Sequence, residues 1–148
     1  MSLSGTCLCG AITITINDSN LLESDAQRGH ICHCRNCRAW GGCIAASILK
    51  ISSSLVTIEG AEHLTTYEDS ATLSGNTIQR KFCGRCGSPI LKLTPRSPDD
   101  VDVHLGLFKQ IPKPEFEMFC SRRQEWEGGV QYPARKKFEE LPGSKEVV

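Results

Sequence analysis

The placement of cysteines constrains this chain more than any other feature in it. Nine cysteines fall within 148 residues, and seven sit in tight clusters: Cys7-x-Cys9, Cys32-x-Cys34-x-x-Cys37 and Cys83-x-x-Cys86. Cys43 and Cys120 stand alone. Sulfurs two or three residues apart are poorly placed to bond to one another and well placed to share a cation. A chain of about 150 residues buries roughly 70% of its unfolded surface, so it does not depend on covalent staples. The odd count, and a start with neither a basic nor an apolar run, also weigh against a disulfide framework. The cysteines therefore read as metal ligands. The expected compartment is the cytoplasm, with the nucleus as the other one open to such a chain.

Seventeen basic and seventeen acidic residues cancel. That removes the electrostatic footprint of a nucleic-acid binder. No apolar run approaches the ~18 residues needed to span a bilayer. Neither a nucleic-acid nor a membrane partner is expected.

Period-two patterning dominates the rest. In residues 11–16, Ile12, Ile14 and Ile16 alternate with Thr13 and Thr15, a strand with one buried face. Residues 17–20 read as a turn and 21–30 as a polar connector with a short helical turn. Further strands are expected at 44–51, 55–58, 63–67, 77–82, 89–93, 101–107 and 116–120. A short helix is expected at 134–141. The reading is a mostly β, single domain of antiparallel sheets with zinc sites over residues 1–126. A polar C-terminal extension, 127–148, either packs on it or trails from it.

Cys7, Cys9, Cys83 and Cys86 form a natural four-thiolate set. Each pair ends in Cys-Gly, at Gly10 and Gly87, where a tight turn brings the second sulfur beside the first. Each pair also leads into an expected strand. A tetrahedral zinc here would be closed and structural.

Cys32, Cys34 and Cys37 can chelate a second zinc while leaving one position open, the mark of a catalytic site. Three thiolates leave that centre with a net negative charge, so it acidifies water weakly and suits a soft sulfur ligand. A thiol entering there would lose its proton and lie ready to attack an electrophile. His30, His33 or Cys43 is the alternative, as a fourth ligand that would make the site merely structural. The ring of His33, between two ligands, is expected to point away from the metal.

These motifs, in order, carry a resemblance. Gly5-Thr6-Cys7-Leu8-Cys9-Gly10, then Cys32-His33-Cys34-Arg35-Asn36-Cys37-Arg38-Ala39-Trp40, then Lys81-Phe82-Cys83-Gly84-Arg85-Cys86-Gly87-Ser88-Pro89-Ile90 are similar to blocks of the glutathione-dependent formaldehyde-activating family, also called the centromere protein V family. The resemblance spans roughly residues 5–126. It implies a β-rich, Mss4-like fold and two zinc ions per chain. One is structural, on Cys7, Cys9, Cys83 and Cys86; the other is catalytic, on Cys32, Cys34 and Cys37. It also implies carbon–sulfur lyase chemistry, with glutathione or a related small thiol joined to formaldehyde or another aldehyde as an S-hydroxymethyl adduct. Two positions depart from the family pattern. Cys43 replaces a small serine-like residue, and Glu117 stands where histidine is common.

Arg38, Arg122 and Arg123 are candidates to hold a glutathione carboxylate, or else solvated surface residues. Trp40 and Trp126 read as packing more readily than as substrate stackers. Two other functions compete. One is a non-enzymatic, zinc-stabilised binding module with the same fold. The other is a methionine-sulfoxide reductase using Cys120, disfavoured by the strand-like surroundings of that residue.

Overall fold

A computed structural model describes residues 2–23, 28–129 and 131–148. Along them run β1 (Leu3–Thr6), β2 (Thr13–Ile16), β3 (His30–Cys32), α1 (Arg35–Gly41), β4 (Ala46–Ser52), β5 (Val56–Glu59), β6 (Leu64–Asp69), β7 (Ile78–Cys83), β8 (Pro89–Leu93), β9 (Asp100–His104), β10 (Phe116–Met118) and β11 (Lys136–Lys137). The structure is mostly β, as its patterning requires. It gathers into two compact units: Met1–Leu21 with Leu49–Ile111, and Leu22–Ile48 with Pro112–Val148. The chain passes between them three times, once inside β4. Among the described residues no helix is long and apolar enough to cross a membrane.

In the first unit the isoleucine–threonine alternation acts as its period of two demands. Ile12, Ile14 and Ile16 are buried, while Thr13 and Thr15 are half-exposed on the opposite face. β2 lies between β1 and β5, antiparallel to both. β6, β7, β8 and β9 form an antiparallel meander. Its register shifts between Lys81 and Phe82, directly ahead of Cys83, and such a bulge re-aims the side chains that follow. The core packs the three isoleucines with Leu49, Ile90 and Val103, and also takes in Cys7 and Cys83. The strand expected at 101–107 ends at His104. A 3-10 turn over Leu105–Leu107 replaces its second half: the apolar alternation runs on to Leu107, but Gly106 weakens a strand interior.

In the second unit β3 pairs antiparallel with β4, but β10 runs parallel to both β3 and β11. The sheets are antiparallel as expected, with parallel pairing added at β10. β3 begins at His30, the last residue of the stretch read as a connector; of that stretch, in which a short helical turn was expected, residues 24–27 fall outside the described residues. The strand expected at 116–120 stops at Met118. Phe119 takes a left-handed conformation (φ 57°, ψ 41°), and a 3-10 turn over Cys120–Arg122 follows. A phenylalanine held there stores roughly 1–3 kcal/mol of strain. Backbone bonds from Phe119 N to Glu140 O (2.8 Å) and from Cys120 N to Phe138 O (3.0 Å) hold it in place.

The helix expected at 134–141 does not form. Those residues give β11 and bends, with Phe138 buried and set edge-on to Phe116 at 6.0 Å. Local helix propensity loses there to the open edge of β10, which offers backbone partners.

Gly60 tests the packing of the first unit. Its φ is 77°, and a Cβ there would lie 2.0 Å from the carbonyl oxygen of Ala11. Gly60→Ala should therefore cost more than the roughly 1–3 kcal/mol of a strained backbone alone. A fall in Tm of about 5 °C or more in a thermal melt is the expected outcome.

Candidate metal centres

The first centre lies in the first unit and rests on two knuckles. Cys7 and Cys9 precede β2; Cys83 ends β7 and Cys86 follows it. Gly10 and Gly87 take φ values of 75° and 76°. Their amides turn back to the carbonyls of Cys7 (3.0 Å) and Cys83 (2.8 Å) and close each loop. The four sulfurs lie within 4.8 Å of one another. Cys9 Sγ is 3.6 Å from Cys7 Sγ and 3.7 Å from Cys83 Sγ. A tetrahedron of sulfurs each about 2.3 Å from zinc has edges of about 3.8 Å, so this spacing suits that ion.

The electrostatics agree. Hydrogen bonding from the Ser88 side chain and backbone pulls the Cys86 thiol down to about 5. At Cys9 the Ala11 amide pulls the thiol down, but desolvation and the neighbouring sulfurs outweigh it and push the thiol up to about 11. Thiols this close cannot all ionise beside one another, and a dication removes the conflict. The amide of Ile12 also donates to Cys7 Sγ at 3.3 Å.

The second centre lies in the second unit. Cys32 ends β3, Cys34 is the N-cap of α1, and Cys37 sits in its first turn. Their sulfurs also lie within 4.8 Å of one another, with Cys32 and Cys37 buried. Cys34 Sγ accepts the amide of Cys37 at 3.3 Å. Hydrogen bonding with the Cys34 and Cys37 sulfurs, together with burial, pushes the Cys32 thiol far up. The grouping holds no fourth donor among the described residues. Cys43 is exposed and stays outside it, and so does His30, which stacks on Phe116 at 5.0 Å.

His33 belongs to a different cluster. Its Nε2 meets Glu117 Oε2 at 2.8 Å, with both side chains fully buried, and the thiol of Cys120 completes a group within 4.8 Å. Lys137 Nζ approaches Glu117 Oε1 at 3.6 Å, and Arg123 Nη1 approaches Oε2 at 3.8 Å. Burial raises the Glu117 carboxyl. The His33 hydrogen bond and the charges of Lys137 and Arg123 outweigh it, so the group lies below its ordinary value.

The sequence profile of the glutathione-dependent formaldehyde-activating enzyme family matches residues 2–122. The chain belongs to that family. A Halomonas elongata relative, provisionally named a glutathione-dependent formaldehyde-activating enzyme, is 29% identical over 133 residues, covering 85% of this chain and 80% of its own. A Rhodobacter sphaeroides protein of solved crystal structure is also similar. Its TM-score is 0.51 at 26% identity, covering 75% of this chain and 90% of that one.

Against the family's motifs, the structure brings together both expected cysteine sets and redistributes the arginines. Arg123 is committed inward, with Nη2 donating to Glu127 O at 3.3 Å. Arg122 faces Glu140 at 3.4 Å. Arg38 follows Cys37 on α1, and its buried Nε finds no hydrogen-bond acceptor among the described residues. Trp126 is 72% exposed and so is not core. The His33–Glu117–Cys120 group was not foreseen as a unit. The only hint was Glu117 itself, a carboxylate in an apolar, strand-like run.

If the four-sulfur set holds zinc, Cys83→Ser should lose that metal together with the core position that Cys83 fills. The expected outcome is insoluble protein, or a soluble form with one zinc fewer by elemental analysis and no cooperative melt. A stable Cys83→Ser protein with undiminished zinc would refute the structural assignment.

Proposed function

We propose that the chain is a zinc-dependent carbon–sulfur lyase. It joins glutathione, or a related small thiol, to formaldehyde or another aldehyde and gives an S-hydroxymethyl-type adduct. The observation that carries this reading is the convergence of three sulfurs, Cys32, Cys34 and Cys37, with no fourth protein donor among the described residues, in a chain of this family. Two zinc ions per chain are proposed: one on the four-sulfur set for folding, one on the three-sulfur set for chemistry. A zinc ion in the three-sulfur set takes a soft fourth donor and favours the deprotonated form of an incoming thiol.

The remaining work belongs to the chain. Cys32 and Cys37 form the buried wall of the centre, and Cys34 is its half-exposed side, so an incoming thiol approaches over Cys34. Arg38, beside Cys37, supplies the guanidinium for a substrate carboxylate; its Nε has no acceptor among the described residues. In the addition the thiol sulfur forms a bond to the carbonyl carbon, the C=O π bond breaks, and the thiol proton ends on the new hydroxyl. Holding both reactants at one centre supplies the proximity that a bimolecular addition lacks in water. All nine cysteines are free, which supports a reducing compartment, and we assign the chain to the cytoplasm.

Cys34→Ser is the test. The variant should keep the fold of the first unit and the zinc of its four-sulfur set. It should lose the zinc of the three-sulfur set and at least about 100-fold in adduct formation, followed by NMR of glutathione with labelled formaldehyde. If the wild type accelerates no such addition and glutathione leaves its zinc-edge absorption unchanged, the lyase reading fails and the binding-module reading replaces it.

A further inference from the structure

His33 lies between two members of the three-sulfur set and is not one of them. Side chains alternate in direction along an extended chain, so His33 points away from Cys32 and Cys34. It finds Glu117 on β10, and several observations make this contact more than packing. The His33 amide donates to Met118 O at 3.1 Å, and Cys32 stands opposite Met118 in the parallel register of β3 and β10. Backbone and side chain therefore clamp the same residue to the same strand. A carboxylate only accepts, so Nε2 of His33 is the donor, and one bond fixes the rotation of the ring.

Glu117 is held in turn. Lys137, on β11, and Arg123, beyond the strained turn at Phe119, approach its two oxygens. Arg123 is steadied by Glu127, whose side chain is 1% exposed and whose Oε1 accepts the amide of Gln124 at 2.8 Å. Apolar residues of similar volume stabilise a buried site as well as a buried ion network does, or better. A network of this kind, set behind the middle residue of a ligand run, is explained by orientation rather than by stability.

We infer that His33 and Glu117 are positioning residues. Their buried hydrogen bond sets the facing of Cys32 and Cys34, and so preorganises the three-sulfur centre for its metal. The inference rests on the reading that Cys32, Cys34 and Cys37 hold zinc. Outer partners of metal ligands commonly matter 10–100-fold in affinity; here the effect travels through the backbone of the residue between two ligands.

The test uses the full-length, zinc-loaded protein and a chromophoric chelator, which resolves zinc release from the two centres. Cys34→Ser identifies the three-sulfur phase. The double variant His33→Phe/Glu117→Leu removes both buried polar groups together and leaves Lys137 and Arg123 able to reach solvent. It should melt within a few degrees of wild type and keep four-sulfur release unchanged, while the affinity of the three-sulfur centre falls about 10–100-fold. Affinity within threefold of wild type overturns the inference.

If the double variant does not accumulate folded, two single variants decide. Glu117→Gln keeps the reach and the acceptor oxygen and should spare the three-sulfur centre. Glu117→Asp keeps the charge but draws the oxygen back by about one methylene, and should weaken that centre. Equal effects, or the reverse order, overturn the inference. A wild-type protein with no three-sulfur phase at all would instead refute the function proposed above.

Discussion

Mutual repulsion among crowded thiolates is the constraint on which the rest of the structure depends. Four sulfurs in one unit and three in the other lie close enough that no set can carry its full negative charge unaided. Cys9, driven up to about 11 by desolvation and its neighbouring sulfurs against the pull of the Ala11 amide, expresses that conflict in one cluster. A dication converts repulsion into binding, and in structural sites binding energy is folding energy. The packing follows the same logic. Cys7 and Cys83 sit among the isoleucines of the first core, and Cys32 and Cys37 belong to the small core of the second with Ala46, Ile48 and Phe119.

The two units depend on this chemistry to different degrees. The first has a deep apolar core from β2, β4, β8 and β9, to which sulfur adds a clasp. The second has few large apolar residues and a set of buried polar ones, His30, His33, Glu117 and Glu127. Its order comes from directed interactions: stacked rings, buried hydrogen bonds and parallel pairing around β10. Such interactions are geometrically demanding, which suits a unit that must hold three side chains at one point.

What was legible in the sequence follows from range. Cysteine spacing and the Ile12–Ile14–Ile16 alternation act over a few residues, so both cysteine groupings and β2 could be read directly. The residues 89–93 strand was read to the residue. α1 was missed because seven residues show too little periodicity; its signs were the cap at Cys34 and the glycine pair at its end. The pairing of β10 depends on partners at both ends of the second unit, and no local pattern reveals a parallel neighbour. Arg123 looked available for a substrate because its acceptors, Glu117 and Glu127, are identified only once the turn at Phe119 is known. The helix expected at 134–141 failed for the same reason: tertiary demand for backbone partners overrode propensity.

One sulfur has a divided duty. Cys34 Sγ accepts the amide that begins α1 and also faces the point on which Cys32 and Cys37 converge. A helix of seven residues has little persistence of its own in water. Alkylation or oxidation at this one atom would thus withdraw a cap and a ligand in the same event. With a metal bound there, the folding of α1 and the filling of the centre would be coupled, and a damaged centre would loosen its own scaffold.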